Sequence, residues 1–169
     1  MSKLIQLIHK KQRAKMIAKL VSSLFIILFH ARHATGARYD AFTSANLHSY
    51  MKAALPGDEI ILNPGTYTGN FYSFASGTAS QKITIRSADP KNKAVLRGLN
   101  FAYGEALYID GNHWIVQDLI LANALHGIVF DNAMDGAIIN CEVRDTGAKR
   151  QEFFTSCLSS TVQLTYHHF

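Results

Sequence analysis

Charge is scarce in this chain of 169 residues: Asp, Glu, Lys and Arg make up only 17% of it. Hydrophobic residues reach 48%, too high a share for a disordered polymer. Cysteine occurs twice, which excludes a disulfide-dense scaffold and a four-thiolate zinc site. No Asn-x-Ser/Thr acceptor occurs, so N-glycosylation is not expected. A Gly-rich phosphate loop, zinc-ligand spacing and a Ser nucleophile elbow are also missing. Acidic residues are absent before position 38, where seven of the 17 basic residues lie. From Arg38 onward there are 10 Lys+Arg against 12 Asp+Glu, a formal charge of −2. The pI near 9.3 therefore describes the leader. The remainder lacks the basic balance of a nucleic-acid-binding domain, and no nucleic-acid partner is expected. Its length suits one domain with a real core.

The leader reads as a secretory signal over residues 1–37. Lys10 to Lys19 forms a positive segment, with Met16 as an alternative start. Leu20 to Phe29 is a ten-residue apolar run, followed by small residues at Ala34, Gly36 and Ala37. That run is about half of the ~20 residues a spanning helix needs, so no stable membrane span is expected. Cleavage near Gly36 or Ala37 is expected, giving an extracellular product.

Short apolar runs recur beyond the leader. Ile60-Ile61-Leu62, Ile83-Thr84-Ile85, Leu107-Tyr108-Ile109 and Ile128-Val129-Phe130 begin 23, 24 and 21 positions apart. Val95, Val116 and Ile139 follow at spacings of 21 and 23. Turn residues bound the runs: Asn63-Pro64-Gly65, Ala88-Asp89-Pro90, Asp110-Gly111-Asn112 and Asp135-Gly136. Strands this short cannot bury their own apolar residues. Stacking turn upon turn buries them, each strand pairing with its copy one turn later. The expectation is an all-β solenoid, a right-handed parallel β-helix of about four rungs over residues 58–150. Leu62, Ile85, Ile109 and Phe130 are read as one inward column. Ile139, Cys141 and Val143 are read as inward in the last rung. The Leu-x-x-Leu-x-Leu pattern of a leucine-rich repeat does not recur.

Residues 38–57 are read as an N-terminal segment ending in a capping helix. Ser44 is placed at the N-cap and the helix over Ala45 to Leu55, with Leu47 and Met51 on its apolar side. Pro56-Gly57 stops it. At the other end, 151–169 has no Gly, Pro or Asp and is read as a non-repeat tail. An uncovered last rung would expose backbone and apolar side chains, so marginal stability and self-association through that rung are expected.

The run from Ala53 through Pro56-Gly57-Asp58, Ile60, Leu62 and Gly65 to Tyr67 resembles the opening of pectin-lyase-like right-handed parallel β-helix proteins. Ile83 to Ala88, Ala94 to Gly98 and Trp114 to Leu119 resemble the first rungs of the chondroitinase B and alginate lyase branch. Asp118 stands where that branch usually has Gly. The resemblance implies an acidic polysaccharide as ligand. In the lyases of that branch it implies a Lys base, an Arg acid and a calcium ion on a uronate carboxylate. Those groups sit on later rungs, so no catalytic residue carries over. The chain is expected to be inactive as a lyase by itself; the alternative is an inert structural or carbohydrate-binding β-helix.

Candidate ligand residues are Arg86, Asp110, Asp131 and Trp114. Asn63, Arg86, Asp110 and Asp131 each follow a strand and are read as a column, with rungs about 4.8 Å apart. Stacked like charges call for a cation or an Arg. Asp110 and Asp131 are therefore candidate calcium ligands, and Arg86 a uronate contact. The same two Asp residues also suit turns that cap their own backbone. Trp114, between His113 and His126, is read either as a sugar-stacking platform or as an anchor of a turn. Asp118 is expected to turn to solvent, because a buried carboxylate needs a partner. Cys141 either pairs with Cys157 or fills the core as a small residue.

Overall fold

In the computed structural model, residues 36–147 and 162–167 are described, together with Lys15 and Met16. The leader and Cys157 otherwise lie outside the described residues. Of two compact units, Met1–Thr35 and Gly36–Phe169, the second carries the fold. Among the described residues no helix is long and apolar enough to cross a membrane.

The fold is a right-handed parallel β-helix of about four turns with one helix near its N-terminal end. The first wall contains β1 (Arg38–Ala41), β2 (Glu59–Leu62), β5 (Ile83–Ser87) and β8 (Trp114–Gln117). The second contains β3 (Thr66–Thr68), β6 (Val95–Arg97) and β9 (Ile120–Ala124). The third is a separate sheet of β4 (Phe71–Ser73), β7 (Glu105–Asp110) and β10 (His126–Asp131). The long β11 (Ala137–Thr146) joins the first two walls. Its start pairs with β8 and its end with β9. All these pairings are parallel.

Each wall carries its own inward column. Ile60, Ile85, Val116 and Ile138 align on the first. Tyr67, Leu96, Leu121 and Val143 align on the second. Phe71, Leu107 and Ile128 align on the third. All are buried and belong to one hydrophobic core.

This corrects the columns read from sequence. Leu62 stands opposite Ser87, not Ile85, and Ile109 lies on another wall beside Ser73 and Phe130. Successive members of the first column are 25, 31 and 22 residues apart. Chain inserted between the walls makes that spacing uneven, so a uniform period joins strands of different walls. Val95 likewise lies on the second wall and Val116 on the first. In β11, Ile138 rather than Ile139 is buried. Asn140, at φ +50°, resets the alternation, so Cys141 and Val143 point inward as expected.

Helix α1 runs Ser44–Ala53 and buries Leu47 and Met51. Its N-cap is Thr43, one residue before the expected Ser44. The Thr43 hydroxyl accepts the Asn46 N–H at 3.1 Å. Ser44 instead accepts the Thr68 N–H, tying the helix to β3.

The opening motif builds this end of the solenoid. Gly57 takes a left-handed φ of +88°. Buried Asp58 accepts the Leu55 and Ala37 N–H groups, each at 2.8 Å. The Tyr67 hydroxyl sits 2.7 Å from the Ala41 carbonyl and 2.9 Å from that of Asn63. Burial pushes its pKa up.

Within the tail, Val162–His167 forms β12. It pairs in parallel with β11 from Ile138↔Val162 to Arg144↔His167, with a register shift between Ile138 and Cys141. Val162, Leu164 and Tyr166 alternate with Gln163, Thr165 and His167, a strand pattern.

Candidate functional site

Alternation on the third wall decides which side chains reach solvent. Phe71, Ser73, Leu107, Ile109, Ile128 and Phe130 are buried. Tyr72 and Tyr108 stand in register on the outer face. Phe74, just past β4, is 67% exposed, and Tyr72 is 48% exposed. Their rings form a chain: His48–Tyr72 at 6.5 Å, Tyr72–Phe74 at 5.8 Å and Phe74–Tyr108 at 6.5 Å. Three shallow clefts of about 350–380 Å³ share Tyr72. They run from His48 and Lys52 on α1 to Glu105 and Tyr108 on β7.

Carboxylates border the far end, each beside a polar neighbour. The Tyr108 hydroxyl donates to Asp131 Oδ2 at 2.7 Å. That bond, with burial and the charges of Asp131, Asp110 and Glu105, pushes the Tyr108 pKa up to about 12. Asn132 Nδ2 donates to Asp110 Oδ1 at 3.4 Å. His126 Nδ1 is 3.5 Å from Glu105 Oε1 and makes no hydrogen bond; it pairs with Glu105 only when protonated. Asp131→Asn is expected to return Tyr108 toward its ordinary pKa, as read by the ultraviolet phenolate titration. A high-pH phenol that persists in the variant would contradict this assignment.

Asp110 and Asp131 are register partners, as the sequence placed them. Arg86 is not with them. It lies on the first wall between Ile61 and Gln117, and its Nε donates to Glu59 Oε1 at 2.5 Å. Asn63 is beside Ala41, to whose carbonyl its amide donates. The predicted column is thus split between two walls. Calcium takes about six to eight oxygen ligands. Among the described residues no group of three or more His, Cys, Asp or Glu converges on a metal site. The Asp110–Asp131 pair alone supplies fewer oxygens than calcium takes.

Trp114 is fully buried, and its indole N–H donates to the Ala75 carbonyl at 2.8 Å. It is a core residue and offers no platform to a sugar. Asp118 is also buried, at 4% exposure, rather than turned to solvent. It sits at φ +55°, and its carboxylate accepts from the amides of Gln117 and Asn140. The left-handed corner turns it off the outer face and onto its neighbours. Cys141 is free and buried, and burial raises its thiol pKa to about 11.

The aromatic chain was missed from sequence. Its signal was the Phe71-Tyr72-Ser73-Phe74 run, where three rings in four residues alternate in burial.

Solved structures share this fold. An alginate lyase from Paenibacillus sp. str. FPU-7 superposes at a TM-score of 0.64 and is 42% identical, over 65% of this chain and 37% of that one. The chain is a parallel β-helix similar to that alginate lyase. A mannuronic acid specific polysaccharide family 6 lyase from human gut microbiota shares the fold at a TM-score of 0.51. It is 21% identical, over 63% of this β-helix and 26% of that chain. The PL6 family alginate lyase AlyGC does so at 0.52 and 24% identity, over 64% and 15%. The β-helix thus spans little more than a third of the first relative and less of the others. No family model matches the sequence, and no curated protein matches it.

Proposed function

We propose that this chain is a secreted β-helix protein of the polysaccharide-lyase type that binds an acidic uronate polysaccharide without cleaving it. Similarity to the Paenibacillus alginate lyase, at 42% identity, carries the choice of ligand. The outer face of β4–β7–β10 is the binding surface in this reading. Aromatic faces stack on the apolar side of pyranose rings. Lys52 at one end supplies a cation for a uronate carboxylate. Eliminative cleavage needs a base for the proton α to the carboxyl and an acid for the leaving oxygen. Among the described residues Lys52 lines this groove, whereas Arg86 stands on another wall in its ion pair with Glu59.

Calorimetry of the purified secreted chain with oligomannuronate, oligogalacturonate and chondroitin oligomers tests the reading. Binding is expected for at least one, with no unsaturated product absorbance. Tyr72→Ala and Phe74→Ala are each expected to weaken it by about 3- to 10-fold, the loss of one ring contact. Turnover of any of these polymers would overturn the inert reading. Absence of all binding would favour a structural β-helix.

A further inference from the structure

The turn after α1 encloses a carboxylate. Asp58 is 3% exposed, and its two oxygens accept the Ala37 and Leu55 N–H groups. Among the described residues no Lys, Arg or His forms an ion pair with it. Among these residues its partners are neutral amides, which leaves room for a cation beside it.

Ala37 has a second property. It follows Ala34-Thr35-Gly36, which is small at the two positions that a signal peptidase reads. Gly36 packs with its backbone against the Gly57 carbonyl, where a Cβ would collide. A chain that begins at Ala37 needs no residue in that space.

We propose that the leader is cut between Gly36 and Ala37, and that the α-ammonium so formed pairs with Asp58. A signal peptidase catalyses the addition of water across the Gly36–Ala37 peptide bond. The C–N bond breaks, Gly36 leaves with a carboxylate, and the Ala37 nitrogen becomes an ammonium. That nitrogen already stands 2.8 Å from Asp58 Oδ1, so a neutral hydrogen bond becomes a charged one. The inference rests on the reading of residues 1–37 as a removed signal, and adds the cut site and the role of the new terminus. The pair raises the folded-state pKa of the amine above its ordinary ~7.7–8.0. Its stabilisation is complete below about pH 7.7 and is lost as pH rises through the raised folded value.

The full chain, expressed with its own leader in a secreting host, supplies the test. Intact mass and N-terminal sequencing locate the terminus. Competitive acylation of the α-amine across pH, read by mass spectrometry of the N-terminal peptide, gives its pKa. The expected result is a chain starting at Ala37 whose amine titrates about one to three units above its value in denaturant. Asp58→Asn is expected to remove the difference. Should that variant not be secreted, the native-against-denatured comparison of the unsubstituted chain decides. An uncut leader would overturn both the signal reading and this inference. Cutting at another bond would leave the signal reading standing and overturn this one. A terminus at Ala37 with an ordinary amine pKa would overturn the pairing.

Discussion

Trp114→Ala is expected to abolish the folded protein. The indole is fully buried in the first wall and touches no solvent. Truncating a core aromatic to Ala costs about 3–5 kcal/mol, from lost transfer energy and the cavity left behind. The Ala75 carbonyl would also lose its donor, for about 1 kcal/mol more. A domain holds only about 5–15 kcal/mol in all. A solenoid of about four turns has few neighbouring turns over which to spread such a loss. Trp114→Phe keeps most of the volume and is expected to lose about 1–2 kcal/mol. Yield of folded protein and urea melts of the two variants check this. A Trp114→Ala protein that melts like the parent but loses polysaccharide binding would return the residue to the surface.

Asp118→Ala is expected to cost about 3 kcal/mol. Two terms add. A left-handed φ of +55° is uphill by about 1–2 kcal/mol for a side chain such as Ala, and less for Asp or Asn. The substitution also removes the acceptor for the Gln117 and Asn140 amides, and bonds to a charged group contribute about 1.5–3 kcal/mol. Asp118→Asn keeps an acceptor and tolerates the corner, so it is expected to stay within about 1 kcal/mol of the parent. Asp118→Gly relieves the backbone but not the amides, and belongs between the two. Denaturant midpoints of the three proteins give the order. Equal midpoints for Ala and Asn would show that the corner does not depend on this carboxylate.

The two residues mark where the sequence was legible and where it was not. β8 reads Trp-Ile-Val-Gln, and its alternation puts Trp114 and Val116 on the same side. Polar His113 beside the ring pulled the reading toward the surface, although His113 sits at the preceding left-handed corner. Corners also hid Asp118 and Ile138. At these points the alternation breaks at an Asn, Asp or His with positive φ, and a pattern counted straight through ends on the wrong face.

Fold class was legible because short strands, turn residues and the Pro56-Gly57-Asp58 opening all demand stacking. Asp110 and Asp131 were found together because β7 and β10 are consecutive copies on one wall. Arg86 was misplaced because β5 and β7 are not. The Tyr72–Phe74–Tyr108 face depends on a register between β4 and β7 that crosses 36 residues, from Phe71 to Leu107. No local pattern spans such a gap.

β11 gives the three walls unequal mechanical standing. A strand shared by two walls acts as a tie-beam: neither can tilt against the other without bending it. The β4–β7–β10 wall shares no strand with them and is held at its corners and through the core. No ladder hydrogen bond joins it to the other two, so its buried Phe71, Leu107, Ile109, Ile128 and Phe130 carry its attachment to them. That wall also carries the aromatic groove. A tilt of that wall would therefore move the groove, while the tied walls keep their register.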